Sequence, residues 1–366
     1  MKNFDSSRLP SLLFSFDGTE IKDVKAWEEK RRPEIEKFFR REVYGIFPPR
    51  PEEIRFVLKQ RDDSALEGRA IQETVEISFQ CPLGTYSFEL YLFLPQGSGP
   101  YPMAALICNR DKQENMDITR KQKTGFWPVE SIVERGWGTC AFYVGDINMD
   151  EANGYEEGIH RMFSDKQEPN GWATIAAWAW AAMRVMDYLE QDERIDQARI
   201  TLTGQSRGGK TALFAGMCDT RYRAVFSSCS GCMGAALSRF KEGESIRQIN
   251  EAFPYWFCEA FKKYNNHEYD MPLDQHALLA TIAPRFLYVT SATEDLWADP
   301  EAEYESARQA GVVYRLYGEL GLPENAEVLP NKPLHGGCIG YHRRQGEHDL
   351  TEFDWMLFLD FAEKRL

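Results

Sequence analysis

Ile200-Thr201-Leu202-Thr203-Gly204-Gln205-Ser206-Arg207-Gly208-Gly209-Lys210 sets a G-x-S-x-G pentapeptide between β-branched strand residues and a helix-forming run, Lys210 to Met217. That context turns a serine into a nucleophile. Glycines at 204 and 208 allow a sharp turn where a Cβ would strike the neighbouring strand or helix, so Ser206 is expected on a tight elbow with its hydroxyl presented outward. The helix behind it directs its positive N-terminal end at the serine. A Gly-rich strand-to-helix turn without chemistry is the plain alternative, and the flanking strand and helix weigh against it.

Working outward from the elbow, the chain alternates strands and helices. Thr74–Phe79 and Tyr86–Leu94 alternate in polarity across Pro82-Leu83-Gly84 and read as an antiparallel hairpin. Apolar strands follow near 103–108, 138–144, 198–203, 223–228, 285–291 and 312–317. Helical segments fall near 126–135, 171–190, 206–217, 245–265, 274–282, 299–310 and 350–365. Strands spaced by helices predict an α/β fold: a mostly parallel central sheet between helical layers, a three-layer sandwich with right-handed crossovers. Residues 22–43 are charged and helix-prone and stop at Pro48-Pro49. Residues 1–70 therefore read as an N-terminal helical extension packed on a catalytic domain of residues 71–366.

Composition excludes several classes. Asp plus Glu number 57 against 43 Lys plus Arg, a net charge of −14, with a pI near 5.1. This argues against a nucleic-acid or anionic-membrane partner. The start, Met1-Lys2-Asn3-Phe4-Asp5, has no apolar signal-like core, and Trp172 to Met183 is too short to span a bilayer. A cytoplasmic location is the expectation. Eight scattered cysteines, several inside apolar strands, read as small buried hydrophobes. Cys229-x-x-Cys232 has metal or redox spacing, but no second pair accompanies it, so neither metal nor cofactor is expected.

A nucleophilic serine on such a sheet needs an acid and a histidine, in that chain order, at the C-terminal ends of strands. The strand Arg285–Ser291 runs into Ala292-Thr293-Glu294-Asp295, which makes Asp295 the first choice of acid and Glu294 the reserve. Of the downstream histidines 335, 342 and 348, His348 lies just ahead of the last helix and is the expected base. His342 falls in strand-like Ile339-Gly340-Tyr341-His342 and reads as structural; His276 and His267 belong to a helix and its loop, and His160 carries no motif. For the oxyanion, the Arg207 N–H supplies one donor, and the loop opening with Asn109-Arg110 is placed to supply another. The Arg207 guanidinium suits either developing negative charge or a substrate carboxylate. Lys210 lies one helical turn from Ser206 and is a candidate ligand contact.

Beyond these derivations, Gly204-Gln205-Ser206-Arg207-Gly208-Gly209-Lys210 resembles the G-x-S-R-x-G-K signature of the glucuronoyl esterases, carbohydrate esterase family fifteen, of the α/β-hydrolase superfamily. Leu273–Arg285, Glu294–Pro300 and Gly346–Trp355 look like further blocks of its bacterial members. The resemblance implies an α/β-hydrolase fold, Ser206 as nucleophile, His348 as base, Arg207 in the oxyanion hole, and Lys210 and Trp297 lining a sugar site. Two departures stand out. The stretch Ser227–Gly234, where many members carry the triad acid, has no carboxylate, which favours Asp295; and Phe253-Pro254-Tyr255 replaces the family's polar contacts ahead of Trp256-Phe257. The expectation is a serine carboxylic-ester hydrolase acting on a glucuronoyl or other carbohydrate ester, small or oligosaccharide. An acetyl esterase, a peptidase or lactonase on the same fold, and a non-catalytic binding protein stay open beside it.

Overall fold

The computed structural model describes residues 4–163, 168–240, 242–323 and 326–366; Met1 to Asn3, with which the N-terminal reading begins, lie outside them. Nine strands form one sheet in the order β1-β2-β3-β5-β4-β6-β7-β8-β9. These are β1 Ile54–Ser64, β2 Ala70–Cys81, β3 Gly84–Pro95, β4 Tyr101–Cys108, β5 Gly138–Tyr143, β6 Ile195–Gln205, β7 Ala224–Ser228, β8 Phe286–Ala292 and β9 Ile339–Arg344. The first three are antiparallel neighbours and β3 pairs antiparallel with β5, whereas β5, β4, β6, β7, β8 and β9 run parallel. Every residue of β7 and β8 is buried. Such near-continuous apolar runs are what helices on both faces of a parallel sheet require.

Four longer helices matter for the site: α1 Thr174–Leu189, α2 Arg207–Cys218, α3 Pro300–Leu316 and α4 Glu352–Ala362. No helix among the described residues is long and apolar enough to cross a membrane. Phe226 of β7 stacks on Phe358 of α4 with ring centroids 4.7 Å apart, which seats the helix that follows the His348 loop. Tyr44 stacks on Phe214 of α2 at 4.2 Å and its hydroxyl donates to the Met233 carbonyl. Through Trp27, Phe39 and Tyr44, the N-terminal segment shares the sheet's own hydrophobic core.

Three readings need correction. Val312 to Tyr317, β-branched and aromatic, is not a strand: residues 312–316 complete α3 and Tyr317 is its C-cap, while at the other end the N-cap Asp299 accepts from the Ala302 N–H and the first residue is Pro300. A helix started this firmly overrides the local strand preference of its last turn. The segment 245–265 is not one helix, because a capping box at Ser245 starts a helix that stops at Ala252, and Pro254 precludes its continuation. Finally, residues 54–64 are not part of a helical extension. They pair with β2 as the outermost strand, and apart from Ile54 and Phe56 that strand is exposed, so its apolar alternation is too brief to read as a strand.

Candidate active site

The strand order places a crevice. The chain enters the parallel part at β4, steps to β5 on one side, and then returns to β6 on the other, so the loops after β4 and β6 diverge at a topological switch point. Ligands of open α/β sheets bind in such crevices at the carboxyl ends of strands. Asn109 follows β4, Ser206 follows β6, Cys229 follows β7, Asp295 leaves β8 and His348 leaves β9.

Ser206 has φ 57° and ψ −125°, the left-handed side of the map that an L-residue occupies only when its surroundings impose it. The surroundings are tight. A Cβ at Gly204 would lie 2.1 Å from the Gly208 carbonyl oxygen, and one at Gly208 would lie 2.7 Å from Asn109 Oδ1. The Ser206 amide donates to the Ser228 carbonyl at 2.8 Å, and its own carbonyl receives the amides of Gly209 and Lys210. Arg207 opens α2, where backbone amides lack helical partners and are available to an anion.

Beside the elbow, His348 Nδ1 lies 2.5 Å from Asp295 Oδ2. The carboxylate is buried and the imidazole is 43% exposed, so the pair has a protected end and an accessible end. The other ring nitrogen, Nε2, sits 2.7 Å from the side-chain amide of Gln205. Arg344 is the hub that sets this spacing. Its backbone carbonyl receives the Thr293 amide in the acid loop, and its Nη2 donates to the carbonyls of Glu347 and Asp349 on either side of His348. Arg344 is fixed in turn by buried Asp354 at 3.0 Å, which also accepts from Thr351 and contacts His342 Nε2 at 2.8 Å. Although burial raises the Asp354 carboxyl, the His342 contact and the Arg344 charge bring it below the usual carboxylate range.

Arg207 faces the other side of the crevice. Its Nε pairs with Asp150 Oδ2 at 2.5 Å, and its Nη2 donates to the Asn109 carbonyl at 2.8 Å. Asp150 is held from below by Trp256 Nε1 at 2.6 Å, and its carbonyl receives the Tyr255 hydroxyl at 2.9 Å. Burial and then the Asp150 charge push the Tyr255 phenol up to about 12, so it stays a donor.

The remaining candidates are placed as follows. Glu294 is exposed, and its carboxylate accepts from Gln345 rather than reaching the imidazole. Trp297 is 56% exposed beside Leu296 on the rim. Lys210 is 4% exposed; its ammonium donates to the Ser230 carbonyl at 2.6 Å and lies 5.7 Å from the Trp256 ring centroid. It lies beneath the crevice rather than on its open surface. The Asn109 side-chain amide is buried, and neither its nitrogen nor its oxygen has a hydrogen-bond partner among the described residues. His342 and His335 both contact the Tyr288 hydroxyl away from the elbow, and burial lowers His335 to about 4. His160 is buried between Asn148 and the Trp172 carbonyl, and burial lowers it to about 3. Sequence reasoning missed Asp150, Gln205 and Arg344. Gln205 had a local signal, its place inside the elbow motif; Asp150 and Arg344 act through contacts distant in sequence.

The sheet, the switch-point crevice and the strained serine define an α/β-hydrolase. Comparison with known proteins narrows the class. The family model described as glucuronyl esterase, fungi, matches residues 85–318. A carbohydrate esterase from an unknown prokaryotic organism is 36% identical over 399 aligned positions, covering 100% of this chain and 92% of that protein. A 4-O-methyl-glucuronoyl methylesterase of Schizophyllum commune is 27% identical, covering 89% and 77%. A solved glucuronoyl esterase from Solibacter usitatus superposes with a TM-score of 0.90 at 36% identity, covering 97% of each chain. The chain belongs to the glucuronoyl esterase family, carbohydrate esterase family fifteen. It is accordingly a carboxylic-ester hydrolase.

Proposed function

We propose that this enzyme hydrolyses esters of a sugar uronic acid through an acyl-enzyme on Ser206, with His348 as base and Asp295 as its orienting acid. The observation that carries the reading is the 2.5 Å contact between His348 Nδ1 and Asp295 Oδ2 at the flank of the elbow. A carboxylate there fixes the tautomer whose Nε2 lone pair faces outward and stabilises the imidazolium that forms.

In the reaction, Nε2 leaves Gln205 and takes the Ser206 proton as Oγ attacks the ester carbonyl. The tetrahedral oxyanion is stabilised by the Arg207 N–H and by its guanidinium, which Asp150 and the Asn109 carbonyl keep aimed at the crevice. Collapse expels the alcohol, protonated by His348, and water attacking the acyl-enzyme repeats the sequence to release the free uronate. Exposed Trp297 offers an apolar face to the sugar ring. Buried Lys210 supports the site from beneath, through Ser230 and Trp256, instead of binding sugar hydroxyls directly. The names of the curated relatives and of the solved neighbours, glucuronoyl and methylglucuronoyl esterases among them, favour the uronoyl acyl group over acetyl.

A substrate pair tests this. The enzyme should cleave a benzyl or methyl ester of glucuronic acid with kcat/KM at least tenfold above that for an acetylated xylo-oligosaccharide. The reverse order would replace the uronoyl reading with an acetyl esterase.

A further inference from the structure

Three side chains of different donor chemistry converge at the acid–base end of the crevice. Cys229 Sγ, the Asp295 carboxylate and the His348 imidazole lie within 4.8 Å of one another, each delivered by a different strand end. Cys229 is held there by its backbone: its φ is 45°, and its amide donates to the Thr290 carbonyl of β8 at 2.8 Å. Thiolate, carboxylate and imidazole together form a donor set suited to zinc, which prefers a tetrahedron with bonds of about 2.0–2.3 Å and hence donor atoms about 3.3–3.6 Å apart. Side-chain shifts of about 1–1.5 Å bring the three donors to that spacing: the Asp295–His348 contact opens from 2.5 Å, and the donors that now lie within 4.8 Å of one another draw together.

Two further features fit an ion. Histidines that bind metal through one ring nitrogen are commonly fixed by a hydrogen bond at the other; here Nε2 lies 2.7 Å from the Gln205 amide nitrogen, and a half-turn of that amide puts its oxygen there to accept an Nε2–H. The imidazole is also the exposed member of the trio, so an ion has an entry path and room for a water as fourth ligand.

We propose that Cys229, Asp295 and His348 form a site for a thiophilic divalent cation of the zinc class, and that its occupancy switches the esterase off. On binding, the thiol proton is released, and the imidazole proton moves from Nδ1 to Nε2, leaving the Nδ1 lone pair for the metal. The net release is one proton per ion. With Nε2 protonated and bound to Gln205, the imidazole has no lone pair for the Ser206 proton, and Asp295 is engaged by the metal. The inhibitory half rests on the triad reading above; the binding half does not.

The two halves separate experimentally. Cobalt(II) titrated into the chelator-treated full chain should produce a thiolate-to-metal charge-transfer band that saturates at one equivalent. Cys229→Ser and Cys229→Ala should each lose that band and bind zinc about tenfold or more weakly in competition with a chromophoric chelator, whereas Cys232→Ser should keep both. In parallel, zinc should inhibit the wild type relative to its own metal-free rate and spare Cys229→Ser relative to its own. No cobalt–thiolate band, or an unchanged band in both Cys229 variants, overturns the site. A Cys229-dependent band without inhibition overturns the switch. If the metal-free wild type hydrolyses no ester at all, the triad reading fails, while the cobalt spectrum still decides the site.

Discussion

Replacing Asp295 by Asn tests the acid assignment with nearly the same shape and no charge. In the resting site Oδ2 lies 2.5 Å from His348 Nδ1, and the carboxylate is buried. During acylation the imidazole becomes cationic. With charge centres about 4 Å apart and an effective dielectric near 20, the lost attraction is about 4 kcal/mol, or three orders of magnitude in rate. The partial exposure of His348 reduces this through screening, while the amide nitrogen of Asn disfavours the Nδ1–H tautomer and adds to the loss. Together these give a fall in kcat of about 10²–10³-fold with KM within about threefold. The assay is initial-rate kinetics on a glucuronoyl ester with a chromogenic alcohol, with circular dichroism to establish folding. Glu294→Gln is the matched control, and because its exposed carboxylate contacts only Gln345 among the described partners, it should stay within about threefold of wild type. A folded Asp295→Asn enzyme within tenfold of wild type, or an equal loss in Glu294→Gln, refutes the reasoning.

Arg207→Ala should lower kcat on every ester, least with activated leaving groups, and Asp150→Asn should lower it by less, about tenfold, because it loosens the guanidinium without removing it; steady-state kinetics on paired aryl and alkyl esters check the ranking. Asp354→Asn unties a buried ion pair and the loop carrying His348, so it should cost about 3–5 kcal/mol of stability in chemical denaturation, and below its Tm it should lower kcat while sparing KM. His160 is buried neutral, with its pKa lowered from 6.5 to about 3. Below pH 6.5 the unfolded chain therefore binds a proton that the folded chain refuses, and stability falls with acidification. Between pH 7 and 5 this one group accounts for about 2 kcal/mol, so the drop in unfolding free energy over that interval should be shallower by that amount in His160→Gln. An equal drop in both proteins contradicts the assignment.

The elbow and the Asp295–His348 pair were legible because their signals are local: glycines flank Ser206, and Asp295 and His348 lie three and four residues past the ends of β8 and β9. Five of the six parallel strands, β4 to β8, were legible because burial on both faces writes an apolar run, whereas β9 ends in His342-Arg343-Arg344 and reads only as strand-like at 339–342. What escaped was set by tertiary context. Strand β1 lies at the sheet edge, and past Ile54 and Phe56 its side chains stand in water, so its alternating signature is too short to read. Val312 to Tyr317 has strand-forming residues, yet residues 312–316 extend a helix begun twelve residues earlier at Pro300. Lys210 lies one turn from Ser206 as the helical period requires, but the period says nothing of depth, and the packing of Ser230 and Trp256 buries it. The clamp of Asp150 on Arg207 joins loops 57 positions apart in sequence, and no spacing rule reaches that far.

Every step of the proposed hydrolysis depends on a covalent role for Ser206. Treating the folded enzyme with a fluorophosphonate and mapping the adduct by peptide mass spectrometry tests it directly. The wild type should carry one adduct, on the peptide containing Ser206, with hydrolysis of the glucuronoyl ester lost in proportion to labelling, and Ser206→Ala should be neither labelled nor active above about 10⁻³ of wild type. Full labelling without loss of hydrolysis, or undiminished hydrolysis by folded Ser206→Ala, would contradict it.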